Sequence, residues 1–214
     1  MTRKQRLAEA VERLKERYPD ALCSLTSHSA FELLVATRLS AQCTDARVNL
    51  VTPALFARYP NAGALAEARV EDVEELIHTC GLYKTKARDL VAMAGMLVEK
   101  HGGKVPDSME ELTALPGIGR KTANLIMGDI YGAPAVVADT HLIRLANRLG
   151  LTDTKDPLRV ERDMLKIIDP AESNNFCHRA VLFGRDICTA RSPRCGECPL
   201  NDICPTGKTG GKNT

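Results

Sequence analysis
The residue types and spacings able to do chemistry in this 214-residue sequence fall in three places: Lys121 behind a glycine turn, Asp139 a short way downstream, and four cysteines near the C-terminus. Lys121 closes the run Leu115-Pro116-Gly117-Ile118-Gly119-Arg120-Lys121. Two glycines flanking one apolar residue, set between two helical patterns, make a tight turn. Lacking a Cβ, they also let another backbone approach closely. The helix that opens at Arg120 aims free N–H groups and the positive end of its dipole at this turn, where an anion such as phosphate is favoured. Gly117, Ile118, Gly119 and Arg120 therefore read as a phosphate-gripping hairpin, and nucleic acid is the expected partner. Position alone leaves two readings of Lys121. It is a phosphate contact, or it is a nucleophile, because positive neighbours disfavour a further proton on an amine.

Asp139 ends the apolar run Ala135-Val136-Val137-Ala138, and Leu142, Leu145, Ala146 and Leu149 then follow at helical spacing up to Gly150. By the ordinary rule it is a helix N-cap. A capping carboxylate is also held rigidly, which suits a group that must face a developing cation. His141, in the same first turn, either contacts a substrate or satisfies the helix end.

Cys188, Cys195, Cys198 and Cys204 form the pattern C-x6-C-x2-C-x5-C, four thiols within seventeen residues. In an intracellular chain such a group points to a metal site. Spacing leaves zinc and an iron–sulfur cluster both open, because only Cys195 and Cys198 form a close pair. Arg191 and Arg194 lie inside the first ligand loop. If a metal stiffens that loop they can meet phosphates at low ordering cost; otherwise they are solvated. Cys23, Cys43, Cys80 and Cys177 are scattered through helical patterns and read as small core residues.

The elements that must position these groups are helices. Leu7, Val11, Leu14 and Tyr18 mark a first helix that stops before Pro19. Further helices are expected over 31–39, 48–59, 64–68, 70–80, 84–100, 120–130, 140–149, 157–168 and 174–188. Asp107 followed by Glu110 suggests a capping box opening a short helix ahead of the hairpin. Strand signals are nearly absent, so the expected class is all-α. A domain boundary near Gly132-Ala133-Pro134 is plausible, and the polar stretch 205–214 reads as a disordered basic tail.

Composition sets the outer limits. Hydrophobic residues make up 44% and charged residues 26%, ordinary for a globular protein. With no Trp and only 4% aromatics, the core must be built from Leu, Val, Ile and Ala. The net charge of +2 does not by itself establish a nucleic-acid partner, though residues 176–214 hold six Arg or Lys against three Asp or Glu. The N-terminus has no apolar signal-peptide core, and no apolar run approaches membrane-spanning length, so no membrane partner and a cytoplasmic location are expected.

Taken in order, Leu39-Ser40-Ala41-Gln42, Gly81-Leu82-Tyr83, Leu115–Asn124, Val137–Arg144 and the cysteine tail resemble the endonuclease III family, helix-hairpin-helix DNA glycosylases that also cut at abasic sites. The resemblance spans nearly the whole chain. It implies two helical domains flanking a DNA-binding cleft: a six-helix barrel over 21–133, and a second domain from 1–20 and 134–204 closed by a 4Fe-4S cluster on the four cysteines. It implies that Lys121 is the nucleophile and Asp139 the essential carboxylate. Gln42 and Leu82 match the positions that enter the DNA stack when a damaged nucleotide is flipped out. Cys43 departs from the small alanine-like residue usual beside that glutamine, which bears on local packing.

On this resemblance the chain acts as a monomer on double-stranded DNA containing damaged bases or abasic sites, associated with the nucleoid if bacterial. It would remove oxidised pyrimidines through a lysine Schiff base and cut the strand by β-elimination. Two rivals differ in their residues. A monofunctional adenine glycosylase lacks a lysine at the position of Lys121 and carries an extra C-terminal domain, whereas this chain stops at Thr214. A zinc-stapled, non-catalytic DNA-binding protein would use the hairpin only as a grip.

Overall fold
The computed structural model describes residues 1–208, which form twelve α-helices and no strand. In chain order these are α1 (Arg3–Arg17), α2 (Ala30–Ser40), α3 (Asp45–Arg58), α4 (Ala62–Ala66), α5 (Val70–Ile77) and α6 (Tyr83–His101). They continue with α7 (Met109–Ala114), α8 (Arg120–Asp129), α9 (Thr140–Arg148), α10 (Pro157–Leu165), α11 (Ser173–Asp186) and α12 (Pro205–Lys208). Among the described residues no helix is long and apolar enough to cross a membrane.

Side-chain caps set many of the starts, by satisfying amides that the first turn leaves without partners. Thr2 and Gln5 form a reciprocal capping box on α1, and Thr44 accepts from Arg47 N to open α3 earlier than hydrophobic spacing alone suggests. The expected box at Asp107 and Glu110 is displaced by one residue. Ser108 is the extended N-cap of α7; its hydroxyl accepts from Glu111 N at 3.2 Å and donates to Glu111 Oε2 at 2.7 Å. The expectation of disorder over 205–214 is corrected in part, since Pro205–Lys208 form α12; the rest lies outside the described residues.

The chain divides into two compact units. One runs from Cys23 to Tyr131 and contains α2 to α8. Its centre is α2, whose Phe31, Leu33, Leu34, Val35, Ala36 and Leu39 are all buried. A helix apolar on every face must be surrounded, and α3, α6 and α8 pack around it. The other unit joins Met1–Leu22 to the chain from Gly132 onward. There α11 packs against both α1 and α9, and its Phe176 and Phe183 supply the volume that a Trp-free core otherwise lacks.

Candidate active site
The first unit assembles three loops. The hairpin Leu115–Gly119 joins α7 to α8, with Ile118 buried as its anchor and Ile118 N donating to Leu115 O. Gly117 is held at φ +73, the left-handed region that L side chains resist. A Cβ there would also overlap Arg38 Nε and stand 2.7 Å from Asp89 Oδ2, so the turn rests directly on the part-buried Arg38–Asp89 ion pair. Gly119, the N-cap of α8, has φ −101, and a Cβ built on it meets nothing within 4 Å. The two glycines thus serve different needs. Gly117→Ala is expected to cost about 2–4 kcal/mol of stability, combining a left-handed φ with a clash, whereas Gly119→Ala costs no more than about 1 kcal/mol, the difference between these residues as N-caps. Chemical denaturation of the two variants checks this, and equal losses would contradict it.

Arg120 and Lys121 are exposed on the first turn of α8. No Asp or Glu occupies that turn, so the helix-end amides and both cations present positive charge to an anion at the hairpin.

The other two loops follow α2 and precede α6. Gln42 (φ 53) and Leu82 (φ 60) are the non-glycine residues with positive φ among the described residues. Leucine has no side-chain hydrogen bond to offset that conformation, and Leu82 is nevertheless 59% exposed. Strain without burial is costly on both counts, and such positions cluster at functional sites. The loops touch: a Cβ on Gly81 would stand 3.2 Å from Gln42 O, so glycine permits the approach. Lys86, one turn into α6, is fully buried and donates from Nζ to Leu39 O at 2.7 Å, clamping the end of α2 from which the Gln42 loop emerges. Burial pushes the Lys86 ammonium below its ordinary range. Sequence patterning gave no sign of Lys86 or of the Arg38–Asp89 support, since both are contacts between helices distant in sequence.

In the second unit, Asp139 caps α9. Its Oδ1 accepts from His141 N at 3.0 Å and Leu142 N at 2.8 Å, while Oδ2 has no partner among the described residues. The extended run leading to it is tied down: Ala135 N donates to Ser173 Oγ and Val137 N to Cys177 Sγ on α11. One carboxylate oxygen therefore fixes the residue and the other stays available. His141 is half-buried against α11, where a Cβ on Gly184 would clash with its ring, and its Nδ1 lies 3.1 Å from Arg144 Nη2. Burial first, then Arg144 and Arg185, pushes its pKa down, against the opposing pull of Asp139.

Cys188, Cys195, Cys198 and Cys204 line one cavity with Leu145, Leu149, Phe183, Ile187 and Leu200. Among the described residues no group of three or more His, Cys, Asp or Glu is set to hold a single metal ion, and the four cysteines share one apolar-walled cavity. The chemistry of this donor set suits a polynuclear cation. Burial pushes the Cys198 thiol up to about 11 and raises Cys204, with the neighbouring thiols opposing ionisation further, so four thiolates need a shared positive charge. N–H donors already face the sulfurs: Leu200 N to Cys198 at 3.4 Å, Gly207 N to Cys204 at 3.4 Å, and Arg148 Nη1 to Cys188 at 3.2 Å.

Arg148 also donates to Thr189 O and Ala190 O, and Arg144 Nε to Cys188 O. These two arginines, one turn apart on α9, hold the start of the loop and were not singled out from the sequence. Arg13 on α1 reaches the loop's far side, donating to Pro199 O and to both oxygens of Asp202. Arg194 pairs with Asp186 at the end of α11 and with Glu197 in the loop, whereas Arg191 is exposed and makes no ion pair or side-chain hydrogen bond among the described residues.

Comparison with known proteins gives two family matches. Residues 35–170 match the family described as HhH-GPD superfamily base excision DNA repair protein, and residues 188–204 match the iron-sulfur binding domain of endonuclease III. The chain is 49% identical over 208 residues to endonuclease III of Synechocystis sp., covering 97% of this chain and 95% of that one. It is 42% identical over 205 residues to endonuclease III of Escherichia coli K12, covering 95% and 96%. Among solved structures it is similar to a trapped endonuclease III–DNA covalent intermediate, with a TM-score of 0.92, 42% identity and coverage of 98% and 99%. A non-covalent endonuclease III–DNA complex matches with the same TM-score at 41% identity, over 100% of each chain.

Proposed function
We propose a lysine-centred mechanism for this chain, which belongs to the endonuclease III family within the HhH-GPD superfamily of base excision DNA repair proteins. It is a bifunctional DNA glycosylase and abasic-site lyase that carries a 4Fe-4S cluster. Lys121 is the nucleophile: its neutral amine attacks C1′ of the damaged nucleotide, and the base departs. The resulting Schiff base acidifies the C2′ proton, so elimination breaks the strand on the 3′ side. Asp139, through the oxygen not used in capping, stabilises cationic character at C1′ and helps move protons. The observation that carries this reading is the exposure of Lys121 on the first turn of α8, immediately behind a hairpin braced on Arg38 and Asp89.

Double-stranded DNA with damaged bases or abasic sites is the substrate. Gly117, Ile118, Gly119 and Arg120 grip the backbone, and Arg191 and Arg194 add contacts from the cluster loop. Gln42 and Leu82 fill the stack left by the flipped nucleotide, offsetting the few kcal/mol that flipping costs. The enzyme acts as a monomer in the cytoplasm, on oxidised pyrimidines. A panel of duplexes tests that class: fastest cutting should be at oxidised pyrimidines, and a preference for uracil or mispaired adenine would contradict it.

The strain at Leu82 separates its role in function from any role in stability. Leu82→Gly relieves the left-handed backbone and exposes no core, so the unfolding free energy should hold or rise, by up to about 1 kcal/mol. Excision of a paired lesion should nonetheless fall at least about tenfold, because the wedge is lost. Unfolding curves and single-turnover excision check this, and an unchanged rate would remove Leu82 from the mechanism.

Cys188, Cys195, Cys198 and Cys204 hold the cluster, which fixes their loop as a rigid platform for Arg191. The purified protein should absorb broadly near about 400 nm, and Cys198→Ser should lose that band. A colourless protein with stoichiometric zinc would overturn the assignment.

A further inference from the structure
Cys43 and Cys80 have no part in the mechanism, yet they sit in the two loops that carry Gln42 and Leu82. Cys43 follows Gln42 and is half-buried against the core of its unit; Cys80 lies two residues before Leu82 and is 1% exposed. The Cys43 thiol lies near enough to Cys80 to oppose its ionisation. The backbones beside them are in contact as well, through Gly81 and Gln42 O. Each cysteine is further held by a turn, Cys43 N to Ser40 O at 3.1 Å and Cys80 N to Ile77 O at 2.8 Å. The buried ammonium of Lys86 faces the same pair.

We propose that Cys43 and Cys80 are an oxidisable pair whose disulfide ties the two DNA-inserting loops together and slows base excision. The backbone contact between Gly81 and Gln42 O sets the two cysteines beside one another, as a bridge requires. The surroundings favour this product over a bound soft metal. A disulfide is neutral, whereas a metal cation would have to enter beside the buried Lys86 ammonium. The oxidant is a peroxide. The Cys43 sulfur, the more accessible of the two, attacks one peroxide oxygen; the O–O bond breaks, one water leaves, and Cys43 becomes a sulfenic acid. Cys80 sulfur then displaces the hydroxyl as a second water, losing its proton, and the S–S bond forms. Two thiols and one hydrogen peroxide thus give one disulfide and two waters. A covalent link between the loops restricts any adjustment of Gln42 and Leu82 as they enter a DNA stack.

The consequence for excision rests on Gln42 and Leu82 acting as wedges; formation of the bond does not. The test uses the cluster-bound protein with its absorbance monitored, so that damage to iron is seen separately. After mild hydrogen peroxide and alkylation of free thiols, peptide mapping without reduction should find the Cys43 and Cys80 peptides joined. Strand cutting should fall at least about fivefold and recover with dithiothreitol. Cys43→Ala should keep the reduced-state activity and lose the peroxide effect, with Cys80→Ala as a second variant that also lacks the bridge. Absence of the joined peptides, or Cys43 found only as sulfinic acid, overturns the proposal. A bridge that forms without slowing excision overturns the switch. If Leu82→Gly then also excises normally, the wedge reading has failed and the thiol pair itself has not.

Discussion
Lys121→Gln is expected to abolish both base release and strand cutting, with a loss of at least about 10^4 in single-turnover rate, because no other group supplies the covalent step. Folding should be unaffected. Lys121 is exposed, and α8 starts from Gly119 with or without an amine at its second position. Binding to a duplex with an uncleavable abasic analogue should weaken by no more than about tenfold, the loss of one phosphate-region charge. That split separates the two readings of this residue: a lysine that only grips phosphate would lose affinity and leave the rate per bound complex intact.

The second large effect is expected at Asp139, where the proposed mechanism gives one carboxylate two jobs. Asp139→Asn keeps an N-cap, since the asparagine oxygen accepts from His141 N and Leu142 N as the aspartate does. Unfolding should therefore change by less than about 0.5 kcal/mol, while Asp139→Ala should cost about 1 kcal/mol. Base release should fall by about 10^2 to 10^4 in both, because the charge facing the developing cation is gone in each. Should Asn restore the rate along with the stability, Asp139 would be a structural cap and nothing more. The same measurement on pre-formed abasic DNA shows whether the loss lies in base departure or in elimination.

How much of this was readable without coordinates depended on how local each signal is. The hairpin was legible because Gly117, Ile118 and Gly119 are consecutive and Arg120 opens a helix at once. Asp139 was legible as a cap because an apolar run stops and a helical period begins at that residue. The cysteine spacing marked a metal site, although spacing alone left zinc and iron–sulfur open; apolar burial and the arrangement of the sulfurs around one cavity bear on that choice. Ser108 was missed as the cap of α7 because Asp107 and Glu110 satisfy the same pattern one residue earlier, and only the backbone angles decide between them.

What sequence patterning could not supply is contact between segments remote along the chain. Arg38 and Asp89 lie fifty-one residues apart and meet under Gly117. Lys86 belongs to a residue type almost never fully buried, yet it is buried on the carbonyl of Leu39. Cys43 and Cys80 read as small core residues and sit in loops whose backbones touch. The left-handed backbone at Gln42 and Leu82 left no mark either, since neither residue type prefers it. Arg38, Asp89 and Lys86 support loops and do not themselves carry a motif.

The central claim is that the amine of Lys121 forms the bond to the sugar. Borohydride reduction during reaction with abasic DNA, followed by peptide mapping of the covalent product, tests it most directly. The account predicts one reduced adduct per protein, located on Lys121 and absent from Lys121→Gln. An adduct mapping to another amine, or full strand cutting with none trapped, would contradict it.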